Sequence, residues 1–169
     1  MSAKEPQSGH LHDFVRALFA AIRSDPELRH LSCLVDSNGA CATGVWDELA
    51  SVMDGAMIDL KSLDPAIHEQ MTGQSNDEVL ASIEHLHALG RLEEVRLLIV
   101  GGVNDDDALV RRTGEWLASV DPHLRIQLIG FRAHGTRPHD PPLGEPGPRR
   151  LDELADLLAA VASFEICVV

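Results

Sequence analysis

The run Met57-Ile58-Asp59-Leu60-Lys61 carries a carboxylate and an amine two positions apart. Side chains alternate along a strand, so Met57, Asp59 and Lys61 share one face and Ile58 and Leu60 the other. Charges at the end of an apolar strand cost free energy unless they are paired or hold a ligand. The upstream run Leu31-Ser32-Cys33-Leu34-Val35 ends similarly, in Asp36-Ser37-Asn38-Gly39. If the two runs are neighbouring parallel strands, about 4.8 Å apart, Asp36 and Asp59 crowd one pocket at the C-terminal edge. Two carboxylates that close resist double ionisation unless an amine or a cation neutralises them. Lys61 can serve, and so can a bound metal ion. His134, in Phe131-Arg132-Ala133-His134-Gly135, follows a later strand, and Arg96 enters another. Together these groups can converge on one zwitterionic ligand.

The elements that must position them follow from periodicity. Leu11, Phe14, Val15, Leu18, Phe19 and Ile22 predict an amphipathic helix over 11–23. Strands are expected at 31–36, 56–60, 95–100, 125–130 and 164–169. Between them, helices are expected at 46–53, from the Ser75-Asn76-Asp77-Glu78 capping box to Gly90, after Asn104-Asp105-Asp106-Asp107, and from Leu151 to Val161. Residues 137–148 hold five prolines and two glycines and read as a loop. Strands alternating with helices mean parallel pairing through right-handed crossovers. Charged groups at strand C-termini are where β/α folds build sites.

Composition limits the partners. The chain has 169 residues, 44% of them hydrophobic, which suits one folded domain. A net charge of -13 and only 4% aromatics speak against nucleic acid and anionic membrane surfaces. No apolar run reaches membrane-span length and no leader is visible, so a cytoplasmic location is expected. Cys33, Cys41 and Cys167 lack Cys-x-x-Cys spacing and read as two strand residues and one loop residue. His85 and His87 do not share a helical face, and His10 and His12 lie near a helix start.

One family shows the same motifs in the same order. Asp36-Ser37-Asn38-Gly39, Met57-Ile58-Asp59-Leu60-Lys61, His68, Thr72-Gly73, Ser75-Asn76, Val95-Arg96, Gly101 and Asn104-Asp105-Asp106 resemble the radical S-adenosylmethionine activating enzymes of glycyl radical enzymes, such as pyruvate formate-lyase activating enzyme. The resemblance implies an α/β fold, a partial, truncated TIM-like β/α barrel with mostly parallel strands over 11–169. Residues 1–10 are expected to be a flexible N-terminus. It also implies roles. Asp36, Met57 and Asp59, with an oxygen from Ser37, match positions that hold a mono- or divalent cation beside the S-adenosylmethionine carboxylate. Lys61 and His134 match contacts to S-adenosylmethionine, and Arg96 a basic group near the reacting centre. The implied reaction is reductive cleavage of S-adenosylmethionine to a 5′-deoxyadenosyl radical, which takes a glycine hydrogen from a partner glycyl radical enzyme.

The chain departs from the family in one decisive respect. The Cys-x3-Cys-x2-Cys loop that binds the family's [4Fe-4S] cluster is absent, as is the Gly-Gly-Glu segment for the methionine amino group. The expectation is therefore the C-terminal part of such an activase, inactive alone, with the cluster not ligated by this chain. A second polypeptide is expected to supply the missing N-terminal strands. Two alternatives stand beside it: a non-catalytic module that binds S-adenosylmethionine or a partner, and an ordinary barrel enzyme using Asp36, Asp59 and Lys61 on a phosphate or carbonyl substrate.

Overall fold

The computed structural model describes residues 9–135 and 142–169. In chain order the elements are α1 (Gly9–Ser24), β1 (Leu34–Ser37), α2 (Thr43–Leu49), β2 (Gly55–Leu60), α3 (Pro65–Thr72), α4 (Asp77–Ala88), β3 (Leu92–Ile99), α5 (Asp107–Val120), β4 (Arg125–Gly130), α6 (Pro148–Ala159) and β5 (Glu165–Val168). The strands form one parallel sheet in the order β1-β2-β3-β4-β5. Sequential order means that every crossover steps the same way. Right-handed crossovers stepping one way put their helices on the same face. That is the wall of a β/α barrel, and here the sheet is not closed.

Burial confirms the one-sided packing. Ala56, Ile58, Leu60, Val95, Leu97, Ile99, Ile126 and Leu128 point under the helices and join Trp46, Ile83, Leu86, Leu117, Leu154 and Leu158 in the core. The alternate residues point to the uncovered face. There Met57, Asp59, Arg96 and Gln127 are half-buried, and Leu34, Asp36 and Cys167 are exposed. The two faces have opposite chemistry because the site lies on the uncovered one.

A bulge decides which β3 residues join it. Ala56 is level with Leu92 but Met57 is level with Glu94, so β3 gains one residue at Glu93. A one-residue slip flips every following side chain to the other face. The bulge thus aligns Glu94 with Met57 and Arg96 with Asp59. Gly55 accommodates it: a Cβ there would lie 3.2 Å from Glu93 Cβ and 3.3 Å from the Arg91 carbonyl.

Several local expectations change. β1 begins at Leu34, not Leu31, because Leu28 to Leu31 close a turn through Leu31 N–H to the Leu28 carbonyl at 2.9 Å. α2 runs over Thr43–Leu49 rather than 46–53, so Asp47 and Glu48 fall outside its first turn and pair with His85 and His12 instead. The helix α3, not foreseen, is capped by the Asp64 carboxylate, which accepts from Ala66 N–H and Ile67 N–H, and has Pro65 in its first turn. Residues 75–78 form no capping box. Asn76 is the N-cap residue of α4, but its side chain donates to the Ser62 and Leu63 carbonyls, at 3.1 and 2.9 Å. Gly9 and His10 lie in α1; residues 1–8 of the expected N-terminal stretch lie outside the described residues, as do 137–141 of the expected loop.

Candidate functional site

The site is built on β1, β2 and β3, on the face that no helix among the described residues covers. Asp36 comes from β1, Met57 and Asp59 from β2, Lys61 from just beyond it, and Glu94 and Arg96 from β3. Parallel pairing in register brings side chains of neighbouring strands side by side.

Arg96 is the hub. Its Nη1 donates to Asp36 Oδ2 at 2.6 Å, its Nε to Glu94 Oε1 at 2.8 Å, and its Nη2 to Met57 Sδ at 3.0 Å. Three residues from three strands thus converge on one guanidinium, a planar fork suited to such sharing. The Glu94 hydrogen bond raises the Arg96 pKa; burial opposes this and Asp36 adds to it. Arg96 therefore stays charged. Glu94 side-chain exposure is 12%, so the inner of the two carboxylates holds Arg96 from below while Asp36 meets it at the surface.

Asp59 makes a separate pair. Lys61 Nζ donates to Asp59 Oδ2 at 2.8 Å, and both side chains are about a quarter exposed, 24% and 28%. Each carboxylate has its own basic partner, the Arg96 guanidinium for Asp36 and the Lys61 amine for Asp59. In register, Asp36 stands level with Met57 and Asp59 with Arg96, one pleat repeat further on. Ser37 does not join them. It faces the helices, level with Ile58, and its Oγ accepts from Gly39 N–H at 3.0 Å. Gly39 needs its φ of 71°, and a Cβ there would lie 2.8 Å from Ile58 Cγ2. The Gly39 carbonyl accepts from Ser82 Oγ, which in turn accepts from Trp46 Nε1, tying the loop after β1 to the core. His134 lies in the exposed turn after β4, and the ion pairs around Arg96 and Lys61 do not include it.

The edge that holds Lys61 is fixed by Asn104, which is 4% exposed. Its Nδ2 donates to the Lys61 and Leu98 carbonyls, both at 2.7 Å, and its Oδ1 accepts from Val100 N–H at 2.7 Å. One side chain thereby joins the ends of β2 and β3. In the sequence, Asn104 reads as part of a helix cap and of the Asn104-Asp105-Asp106 motif. Asp106 caps α5 instead, accepting from Leu109 N–H at 3.0 Å. Glu94 was also missed as a site residue. The Glu94-x-Arg96 alternation, parallel to Asp59-x-Lys61, was the available signal.

A [4Fe-4S] cluster does not fit the cysteines of this chain. Cys33 is buried before β1, Cys41 is half-buried in the loop after it, and Cys167 is exposed on β5. β1 and β5 are opposite edges of the sheet, about 19 Å apart at the usual strand spacing. Three thiolates so placed cannot converge on one cluster.

No family model matches the chain. Among curated proteins, it is 30% identical over 125 residues to the pyruvate formate-lyase 1-activating enzyme of Escherichia coli (strain K12), covering 73% of this chain and 49% of that one. It is 31% identical over 128 residues to the (2S)-3-sulfopropanediol dehydratase activating enzyme of Klebsiella oxytoca, covering 73% of this chain and 38% of that one. The chain thus spans half or less of the length of these relatives. In fold it is similar to a crystallised domain of pyruvate-formate lyase-activating enzyme from Bacteroides vulgatus, with a TM-score of 0.74 at 20% identity, covering 94% of both chains. Streptococcus suis SuiB, crystallised with S-adenosylmethionine, shares the fold with a TM-score of 0.65 at 12% identity, covering 91% of this chain and 36% of that one. Sequence and fold together make the chain a homologue of the radical S-adenosylmethionine activating enzymes of glycyl radical enzymes, of the pyruvate formate-lyase activating kind, over about half their length.

Proposed function

We propose that this chain is the S-adenosylmethionine-holding part of a glycyl radical enzyme activase, with the iron–sulfur cluster held by residues other than its three cysteines. The observation that carries the reading is the set of alternating charges on the uncovered face: Asp36–Arg96–Glu94 beside Asp59–Lys61. S-adenosylmethionine is itself of mixed sign, with an ammonium, a sulfonium and a carboxylate. Lys61 and Arg96 suit the carboxylate, and Asp36 and Asp59 suit the cationic groups or a cation beside them. Both basic groups are now engaged with carboxylates, so binding would exchange one set of ion pairs for another. Such exchange limits the desolvation cost, because no charge is left unpaired. His134, on the same strand edge, is the proposed further contact, and the partner is a glycyl radical enzyme.

Titration calorimetry with S-adenosylmethionine tests this. The parent chain should bind, and Asp59→Asn should bind at least about tenfold more weakly, since a buried charged hydrogen bond contributes about 1.5 kcal/mol or more. Equal binding by parent and variant would leave Asp59–Lys61 as a structural pair. A second reading, a binding module without radical chemistry, is favoured by the divergent cysteines. It keeps the same ligand and differs only in whether added cluster-bearing polypeptide restores cleavage of S-adenosylmethionine.

A further inference from the structure

An imidazole and two carboxylates meet between α1 and α2, outside the residues of the strand site. His12 and Asp13 come from α1 and Glu48 from α2. His12 Nε2 lies 3.4 Å from Glu48 Oε2 and 3.9 Å from Asp13 Oδ1, and one donor atom from each residue lies within 4.8 Å of the other two. Successive residues of a helix point about 100° apart. His12 and Asp13 nevertheless both reach towards Glu48 across the gap between the helices.

These separations suit a metal ion better than hydrogen bonds. Both imidazole-to-carboxylate distances exceed the roughly 2.7–2.9 Å of a charge-assisted N–H···O bond. Donors about 2.0–2.2 Å from a tetrahedral zinc ion stand roughly 3.4 Å apart, the spacing of the His12–Glu48 pair. The wider spacings can close by rotation of the carboxylates, whose side chains are 53% and 50% exposed, around a His12 ring held at 20%. Asp13 is braced as ligating carboxylates usually are, since its Oδ1 accepts from Arg16 Nη2 at 3.1 Å. A second observation is electrostatic. Glu48 lies in the last turn of α2, where the carbonyl dipoles repel a carboxylate and attract a cation. That turn has no basic residue, and its other acid, Asp47, is engaged by His85 at 2.7 Å. Among the described residues, no lysine or arginine pairs with Glu48.

We propose that His12, Asp13 and Glu48 bind one zinc ion, or another borderline divalent metal, that clamps α1 to α2. An imidazole beside two carboxylates selects such ions over magnesium and calcium, which prefer oxygen donors. The two carboxylates balance the charge of the ion, and three protein donors leave one tetrahedral position for water. α1 has the most use for a clamp. Its Leu11, Phe14 and Leu18 are exposed, so apolar burial holds it weakly. His12 also lines a cavity of about 470 Å³ bounded by Val15, Val35, Val45 and Leu49, so the ion would fix one wall of that cavity.

The test is calorimetric titration of the full chain with zinc chloride, and separately with magnesium chloride. Zinc should bind one ion per chain and raise the thermal midpoint, and magnesium should do neither. His12→Ala and Glu48→Gln should each weaken zinc binding by at least about tenfold and remove the shift in midpoint. Glu48→Gln, which removes a charge from the wrong end of a helix, should not lower the midpoint of the metal-free chain. Cobalt(II), as an optical probe, should give the visible bands of a four-coordinate ion without thiolate-to-cobalt charge transfer. A thiolate band would place the ion on a cysteine and overturn the proposal. Absence of zinc binding overturns it, as does binding that survives His12→Ala. Binding lost in Asp59→Asn would put the ion at the strand site, and equal affinity for magnesium would leave only an acidic patch; either result overturns it too. S-adenosylmethionine is not added in these titrations, so their failure leaves the proposed function standing.

Discussion

Arg96 shows how little of an ion pair is local. Its partner Asp36 lies 60 residues away, while Glu94 is its neighbour but one. Strand alternation made Asp59 and Lys61 readable as a pair from sequence. It also put Arg96 on one face with Leu98, but it could not say which carboxylates would share that face, because the bulge at Glu93 sets the register between β2 and β3. The burial of the two partners predicts unequal consequences. Glu94, with 12% side-chain exposure, holds Arg96 where water competes little, whereas Asp36 is 60% exposed. Glu94→Gln should cost about 1–2 kcal/mol of unfolding free energy, and Asp36→Asn well under 1 kcal/mol, about the worth of a surface pair. Urea unfolding of both variants checks the order; equal losses would mean that Glu94 and Asp36 are interchangeable in holding Arg96.

At the scale of elements, the order of strands and helices was legible because hydrophobic period and turn residues agree along most of the chain. The exceptions have specific causes. Leu31 continues the apolar run, yet the chain turns there and enters the sheet only after Cys33, whose N–H donates to Asp54 Oδ2 at 2.7 Å. α3 escaped notice because its eight residues carry a weak apolar stripe, and its capping by Asp64 is the stronger signal. Asn104 looked like a cap and proves to be the clamp between β2 and β3. Asn104→Ala strands two carbonyls and one N–H, and should cost about 2–4 kcal/mol. It should also weaken S-adenosylmethionine binding, since Lys61 is anchored through its own carbonyl. A stability loss below about 1 kcal/mol would show that the edge re-pairs by itself. In α3, His68 is buried at 3% exposure, and its Nδ1 has no hydrogen-bond partner among the described residues. Burial lowers its pKa below the ordinary 6.5, Lys61 adding to this and the Ser62 backbone opposing it. A histidine kept neutral in the fold but free to charge when unfolded makes the unfolded state bind more protons. Its penalty is absent well above pH 6.5 and grows as pH falls through that value. Unfolding free energy should therefore fall between about pH 8 and about pH 5.5, and His68→Phe should flatten that slope. An identical slope in the variant would assign it to other groups.

The whole molecule is a stretch of barrel wall, helices outside and charges inside, and its shape decides which chemistry it can complete alone. The inner face gathers acid and base from three adjacent strands, a distance that side chains span. The thiols sit where no bending of side chains can gather them. Cys33 precedes β1, Cys41 follows it, and Cys167 lies across the full width of the sheet on β5. Closing that distance would require the sheet to roll until its edges meet. The core under it, from Trp46 to Leu158, is packed for the open curvature, and such a core resists continuous deformation. Anaerobic reconstitution of the chain alone should therefore leave far fewer than about four irons per chain, the content of one cubane cluster. The thiols should also behave independently towards an alkylating reagent. Cys167 is exposed and should react first. Cys41 should follow slowly, since burial pushes its thiol pKa up, and Cys33, at 2% exposure, should react only on unfolding. Near-stoichiometric cubane iron that disappears in Cys167→Ala would require the two edges to come together, within one chain or between copies, and the open sheet would then be only one of the forms that this chain adopts.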